Sequence, residues 1–281
     1  MIKKIHDKLT RLLENTGDMA LKRRARRIME EINPQDGDNI LEVGCGDGFY
    51  LYLLSNLGIK LKLTGVDINP KALESAKRNL KGKKIFLGQA DLMKKLPFKK
   101  ELFDKVIMSE VAEHLPDDVQ GLKEVGRVLK KGGLLVLTVP NHNYPFFWDP
   151  VNWFLEHFFN THVKSGFWTG LWNQHLRLYK PDEIKKSVKK AGFTIEKSES
   201  LTWWCLPFNH NLMYFAAAKL YGGNLSPDAA KAVSKYQLKN FRRPLLIEMA
   251  FKISNLIDLL NDLFPAENSG VGILVVAMKS K

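Results

Sequence analysis

Apolar residues along this chain fall into two rhythms. Short runs rich in apolar residues come at Ile40–Val43, Leu61–Val66, Ile85–Leu87, Val106–Met108 and Leu134–Val139. Each is too brief for a helix, and together they predict strands over 39–43, 61–66, 85–87, 104–108 and 134–139. The last is almost wholly apolar, as expected of a strand buried on both faces. Between them, helices are predicted over 49–57, 70–80 and 117–129. Pro70 opens the second where its missing N–H costs nothing. Lys131-Gly132-Gly133 follows the third, a basic and glycine-rich stop signal. Strand and helix in alternation predict right-handed crossovers and an α/β fold, a parallel sheet covered on both sides by helices. Ligands of such sheets bind beyond the carboxyl ends of the strands, where the chain order reverses.

The remainder extends this picture at both ends. A helical segment over 2–33 precedes Pro34 and the Asp36-Gly37 turn, so residues 1–34 form an N-terminal unit ahead of a core spanning 35–200. A further helix over 181–191 and a strand over 194–197 close that core, and a final strand over 272–278 lies in the segment 269–281. The stretch 201–268 is therefore an insertion before the last strand. Within it, Leu201–Phe208 and Leu212–Ala218 are more apolar than an exposed loop. Leu246, Met249, Ile253, Leu256, Leu260 and Leu263 recur at steps of three and four, with Glu248, Lys252, Asn255 and Asp262 on the other face. That is an amphipathic helix. It is expected as a lid packed on the sheet; a dimer interface and a surface resting on a membrane are the competing readings. Arg242 and Arg243 before the helix favour the last of these.

Composition changes little in this outline. At 281 residues, with 45% apolar and 26% charged positions, the chain resembles an ordinary soluble protein with one large or elaborated domain. The formal charge of +13 favours anionic partners. Most lysines are scattered as on a solvated surface. The run Lys22-Arg23-Arg24-Ala25-Arg26-Arg27 is denser and could face phosphates or a membrane. Cys45 and Cys205 have no disulfide or metal spacing, which fits a reducing cytoplasm. Met1-Ile-Lys-Lys lacks the apolar core of a secretion signal, and no apolar run reaches the ~18 residues of a spanning helix. A cytoplasmic protein is expected, with peripheral membrane association left open.

The densest chemistry lies at Asp38–Gly48, where the first strand runs into glycines at 44, 46 and 48 with Glu42 inside the apolar run. Glycine there reaches positive φ and lets a ligand approach the backbone. The alternate spacing is not that of a dinucleotide fingerprint. It resembles motif I of the class I S-adenosylmethionine-dependent methyltransferases, Glu/Asp-x-Gly-x-Gly-x-Gly. The resemblance implies a Rossmann-like, doubly wound seven-stranded sheet, mostly parallel with an antiparallel last strand, here carrying a helical insertion. It also implies S-adenosylmethionine held by Glu42, Gly44, Gly46 and Gly48. Asp67 would bind the ribose hydroxyls and Asp91 the adenine amino group. Ile68 and Leu92 would pack on the ring, and Ser109 would lie on the pocket floor.

The segment Ser109-Glu110-Val111-Ala112-Glu113-His114-Leu115-Pro116-Asp117 narrows the resemblance. Glu-His-x-Pro-Asp is similar to small-molecule methyltransferases of the ubiquinone and menaquinone type. Glu110-x-x-Glu113-His114 is similar to polyprenyl-dihydroxybenzoate O-methyltransferases, where those residues are associated with a divalent metal such as Mg. Two carboxylates and an imidazole form one candidate metal set. His114 is equally a candidate general base, its ordinary pKa being near neutral. After the fifth strand, residues 141–178 are rich in aromatics, including Phe146, Phe147, Trp148, Trp153, Phe154, Phe158 and Trp172. They form either an apolar pocket for a greasy substrate or the core of a helical cap. His142, Tyr144 and His175 are the polar groups expected to reach a substrate there, with His142 the second catalytic candidate. The expected reaction is methyl transfer to a small hydrophobic, quinone- or lipid-like acceptor, most simply at oxygen. An RNA or protein methyltransferase is the rival suggested by the charge, and a non-catalytic cofactor-binding module is the other.

Overall fold

The computed structural model describes residues 2–172, 175–206, 208, 235–236, 245–264 and 268–280. Its strands are β1 (Asn39–Val43), β2 (Lys62–Asp67), β3 (Ile85–Gln89), β4 (Phe103–Ser109), β5 (Leu129–Pro140), β6 (Phe193–Leu201) and β7 (Gly272–Lys279). They form one sheet in the order β3-β2-β1-β4-β5-β7-β6. Strands β1 to β5 pair in parallel, while β7 runs antiparallel between β5 and β6. The chain order reverses between β1 and β4, so the β1 turn lies where ligands of such sheets bind.

Alternation along the strands builds two cores. Ile40 packs with Ile28, Ile32, Leu51 and Leu54 on one face. Its neighbour Leu41 packs with Val106, Met108, Leu122, Val125 and Ile184 on the other. Each such side chain contributes about 1.5–3 kcal/mol by leaving water. The helices are α1 (Ile2–Leu13), α2 (Met19–Ile32), α3 (Phe49–Asn56), α4 (Pro70–Asn79), α5 (Asp118–Val128), α6 (Pro150–Phe159), α7 (Pro181–Lys190) and α8 (Leu245–Leu263). The single N-terminal helix expected from the sequence is two, because Asp18 accepts the N–H of Leu21 and caps a new start. In β5 the strand begins at Leu129, ahead of the glycine pair, where Leu129 pairs with Phe103.

Helix α8 departs from expectation on its apolar stripe. Phe251, Asp258 and Asn261 are buried, whereas Met249, Ile253, Leu256 and Leu263 of the apolar stripe are exposed. Arg23 of α2 is the cause. It holds the Asp258 carboxylate at 2.7 Å and Asp262 at 2.9 Å, and it also donates to the Asp258 carbonyl. Removing one partner of such a buried pair costs about 3–5 kcal/mol, enough to fix a helix face. Helix α6 is arranged alike, with Asn152 buried and Phe154, Phe158 and Phe159 exposed. The expectations on Leu212–Ala218, on Arg242 and Arg243, and on the Leu246 side chain lie outside the described residues. No described helix is long and apolar enough to cross a membrane.

Candidate active site

The three glycines after β1 all have positive φ, +68° at Gly44, +52° at Gly46 and +84° at Gly48. Their surroundings differ. A Cβ on Gly44 would lie 2.3 Å from Val111 Cγ2 and one on Gly48 2.8 Å from Leu80 Cδ1, but one on Gly46 would meet nothing within 4 Å. Two glycines thus let the turn pack against the protein, and the middle one leaves its open side to a ligand. Asp67, ending β2, accepts the Gly46 N–H at 2.8 Å through Oδ2 and the Asn69 N–H at 2.8 Å through Oδ1. Each carboxylate oxygen keeps a further lone pair, the acceptors that a ribose diol needs. Ile68 beside it is 62% exposed, an apolar surface at the strand end, while Leu92 is buried. Asp91 accepts the Met93 N–H at 2.9 Å through Oδ1.

Glu42 is buried and accepts the Leu51 N–H at 3.2 Å, in the first turn of α3. Burial pushes its carboxyl well above the usual range, Asp47 and Asp67 add to this, and the Leu51 N–H and Lys235 oppose it. The donors, acceptors and open backbone at 42–48 and 67–68 fit a nucleoside-bearing cofactor.

On the floor, Ser109 Oγ lies 3.0 Å from the Tyr50 hydroxyl and 2.8 Å from Thr138 Oγ1. Thr138 donates to Glu110 Oε1 at 3.1 Å, and Glu110 Oε2 lies 2.9 Å from Arg24 Nη1. Glu110 holds a φ of +55°, strained for a side-chain-bearing residue. Arg24 therefore draws Glu110 away from the expected Glu110, Glu113 and His114 set. The groups that do meet are Glu113, His114 and His175, with one ligand atom each and all within 4.8 Å of one another. His114 Nε2 and His175 Nε2 lie 3.8 and 3.9 Å from Glu113 Oε1. Neither carboxylate oxygen of Glu113 has a hydrogen-bond partner, although the side chain is fully buried. Burial pushes this carboxyl well above its usual range, with Glu110 adding to the shift. Burial lowers the pKa of His175, opposed by Glu110. That buried, unpartnered carboxylate between two imidazoles fits either a shared proton or a bound cation.

His175 reaches Glu113 because the chain after the cap runs over the 110–116 loop. The Leu176 N–H bonds Glu113 O at 3.2 Å, Arg177 donates to Leu115 O at 2.8 Å, and the Tyr179 hydroxyl donates to Asp118 at 2.8 Å. His142 is half-buried, with its backbone N–H on Tyr179 O at 2.9 Å, and stands outside the trio. Tyr144 donates to Glu156 at 3.0 Å in the cap interior. The aromatic stretch divides: Tyr144 and Trp148 form a core with Leu171 and Leu178, while Phe146, Phe147, Phe154, Phe158 and Trp168 are exposed. Sequence reasoning missed Tyr50 and Thr138, which carry no motif, and saw Arg24 only as part of the basic run; all three join the site through the fold.

The basic run 22–27 is spent inside the protein. Lys22 reaches Asn255, Arg23 and Arg26 hold α8 acids, and Arg27 pairs with Glu199, Glu30 and Glu31. Its density therefore marks internal joints and gives no independent sign of a nucleic-acid face.

Residues 41–137 match a family model described as a methyltransferase domain. The demethylmenaquinone methyltransferase of Thermotoga maritima is 27% identical over 199 residues, covering 68% of this chain and 83% of that one. A putative methyltransferase from Bacillus halodurans shares the fold with a TM-score of 0.55 at 20% identity, over 92% of this chain and 99% of that one. So does a phosphoethanolamine N-methyltransferase of Haemonchus contortus in complex with S-adenosyl-L-methionine, with a TM-score of 0.54 at 17% identity, over 92% and 52%. The methyltransferase domain at 41–137, with the glycine turn, Asp67 and the mixed seven-stranded sheet, supports an S-adenosylmethionine-dependent methyltransferase, and the chain is similar to class I enzymes of the menaquinone-biosynthesis type.

Proposed function

We propose that the enzyme methylates an oxygen of a small hydrophobic, quinone- or lipid-like acceptor, and that Glu113, His114 and His175 form its acid–base centre. The observation that carries this reading is the buried Glu113 carboxyl, without a hydrogen-bond partner, set beside two imidazoles. The 27% identity to a demethylmenaquinone methyltransferase supports the acceptor class.

The bound donor supplies an electrophilic methyl on a sulfonium, so the protein's task is alignment and proton removal. Asp67 takes the ribose hydroxyls, Gly46 admits the cofactor to the backbone, and Asp91, Ile68 and Leu92 serve the adenine. Ser109 lines the floor, and Glu42 serves the methionine end through the turn. Arg24, the member of its run that faces the strand ends, supplies a cation for the methionine carboxylate. His114, with its side chain 41% exposed, meets the acceptor, while Glu113 is buried and His175 half-buried. His114 takes the hydroxyl proton, the acceptor oxygen forms the new C–O bond, and the C–S electron pair remains on sulfur. His142 stands farther along the cap as a contact for the acceptor.

The residues that would hold a divalent ion are the same Glu113, His114 and His175. Two imidazoles and one carboxylate suit Zn²⁺ better than Mg²⁺, which takes oxygen ligands. Such an ion would lower the pKa of an acceptor hydroxyl. Peripheral contact with a lipid surface is supported by the apolar residues that α6 and α8 leave exposed, among them Phe154, Phe158, Met249, Leu256 and Leu263.

Incubation with donor carrying a radiolabelled methyl group and fractionated cell extract tests the reading. Label in the lipid fraction is expected; label in RNA alone overturns it.

A further inference from the structure

Lys235 and Tyr236 belong to the insertion between β6 and β7, yet both close on the glycine turn after β1. The Tyr236 hydroxyl donates to the carbonyl of Asp47 at 3.0 Å, across 189 positions of sequence. The Asn79 side chain donates to that same carbonyl at 2.9 Å. Lys235 Nζ lies 2.8 Å from Asp47 Oδ2 and 4.7 Å from the centroid of the Phe49 ring. The Tyr236 ring stands edge-on to Phe49 and Tyr52, at 5.8 and 5.1 Å, and the Tyr52 hydroxyl donates to Tyr236 O at 2.9 Å.

Asp47 lies between two glycines with positive φ, where the backbone is permissive. Its carbonyl belongs to the same peptide plane as the Gly48 N–H, which bonds Cys45 O at 2.8 Å. Fixing that carbonyl fixes the second half of the turn. The first half is fixed from the opposite side, where Asp67 takes the Gly46 N–H. Without the outer contacts, the bond from the Gly48 N–H to Cys45 O is left to hold the Asp47–Gly48 peptide against a ligand seated on Gly46. Lys235 also balances Asp47 in a place that already holds Asp67 and the buried Glu42.

We infer that Lys235 and Tyr236 are positioning residues of the donor site, which set the glycine turn in its ligand-binding form from within the insertion. The inference rests on the reading that this turn holds S-adenosylmethionine.

The test is calorimetric titration of S-adenosylmethionine into the full chain, beside steady-state kinetics and thermal melting. Tyr236→Phe keeps the ring contacts and removes one hydrogen bond, so donor Kd and donor KM should both rise about fivefold with kcat within twofold. Lys235→Met, which keeps the aliphatic stem, should raise them in the same direction. Asn79→Ala combined with Tyr236→Phe should depart from additivity, since both donors share one carbonyl. Lowered melting temperatures with unchanged donor Kd in both single variants would overturn the inference. Asp67→Ala with unaltered donor affinity would instead overturn the site itself, whatever Tyr236 does.

Discussion

The two halves of this enzyme are built by opposite means. The proposed donor half is local: Glu42, Gly44, Gly46, Gly48, Asp67 and Ile68 sit at the ends of two adjacent strands, and Asp67 bonds directly to the turn. The proposed acceptor half is assembled from distant pieces. His175 meets Glu113 across 62 positions, and Arg24 of the second helix decides where Glu110 goes. The cap over it inverts the usual rule, keeping Asp149 and Asn152 inside and leaving Phe158 66% exposed. A rigid strand-end site suits a cofactor that does not change, and an assembled one suits an acceptor particular to this enzyme.

Paired glycine substitutions should separate the halves with the largest effects. Gly44→Ala drives a Cβ to 2.3 Å from Val111 at a φ of +68°. Donor binding should fall by at least about a hundredfold by calorimetry, in a chain whose circular dichroism is unchanged. In the cap, a Cβ on Gly170 would lie 1.5 Å from Asp149 Oδ2, the oxygen that accepts from Asn152 at 2.8 Å. Gly170→Ala should abolish acceptor turnover and leave donor affinity within about threefold. Loss of donor affinity in both variants would erase the distinction.

Glu113→Gln should sharpen it next. Removing the carboxylate behind His114 should lower kcat about a hundredfold, the scale of general acid–base catalysis, with donor Kd unchanged in a binding assay. Stability should move the other way. Because Glu113 has a folded pKa above its unfolded value, its contribution is full below the unfolded carboxylate pKa and is lost as pH rises toward the folded one. Glu113→Gln should therefore melt higher than the parent at neutral pH, with the difference shrinking in acid. A variant that melts lower at neutral pH would show that the carboxylate is satisfied as an anion.

The smallest effect belongs to the exposed cap. Phe158→Ser should slow methylation of an acceptor embedded in anionic vesicles about fivefold and leave a water-soluble analogue unaffected. Equal slowing of both substrates would place Phe158 in the acceptor pocket.

This division also explains what could be read from the sequence. The alternation of strands and helices, the glycine spacing and Asp67 are local signals, and they point directly to the sheet and to the proposed donor site. The apolar stripe on α8 is local too, but it misleads. Which face is buried is decided by Arg23, which draws Asp258 inward from over 230 positions away. Glu110 is likewise held from a distance, by Arg24 at 2.9 Å, and the atoms grouped at Glu113, His114 and His175 do not include it. His175 was visible as a polar group near the cap, but only the return of the chain over Glu113 makes it part of the trio.

The measurement that bears most directly on the donor site is the affinity of S-adenosylmethionine for the parent chain and for Asp67→Ala, taken by calorimetry under one buffer condition. Saturable one-to-one binding to the parent, weakened by about a hundredfold or more in the variant, is the expected result. Equal affinity in the two proteins would contradict a donor site at the glycine turn and Asp67.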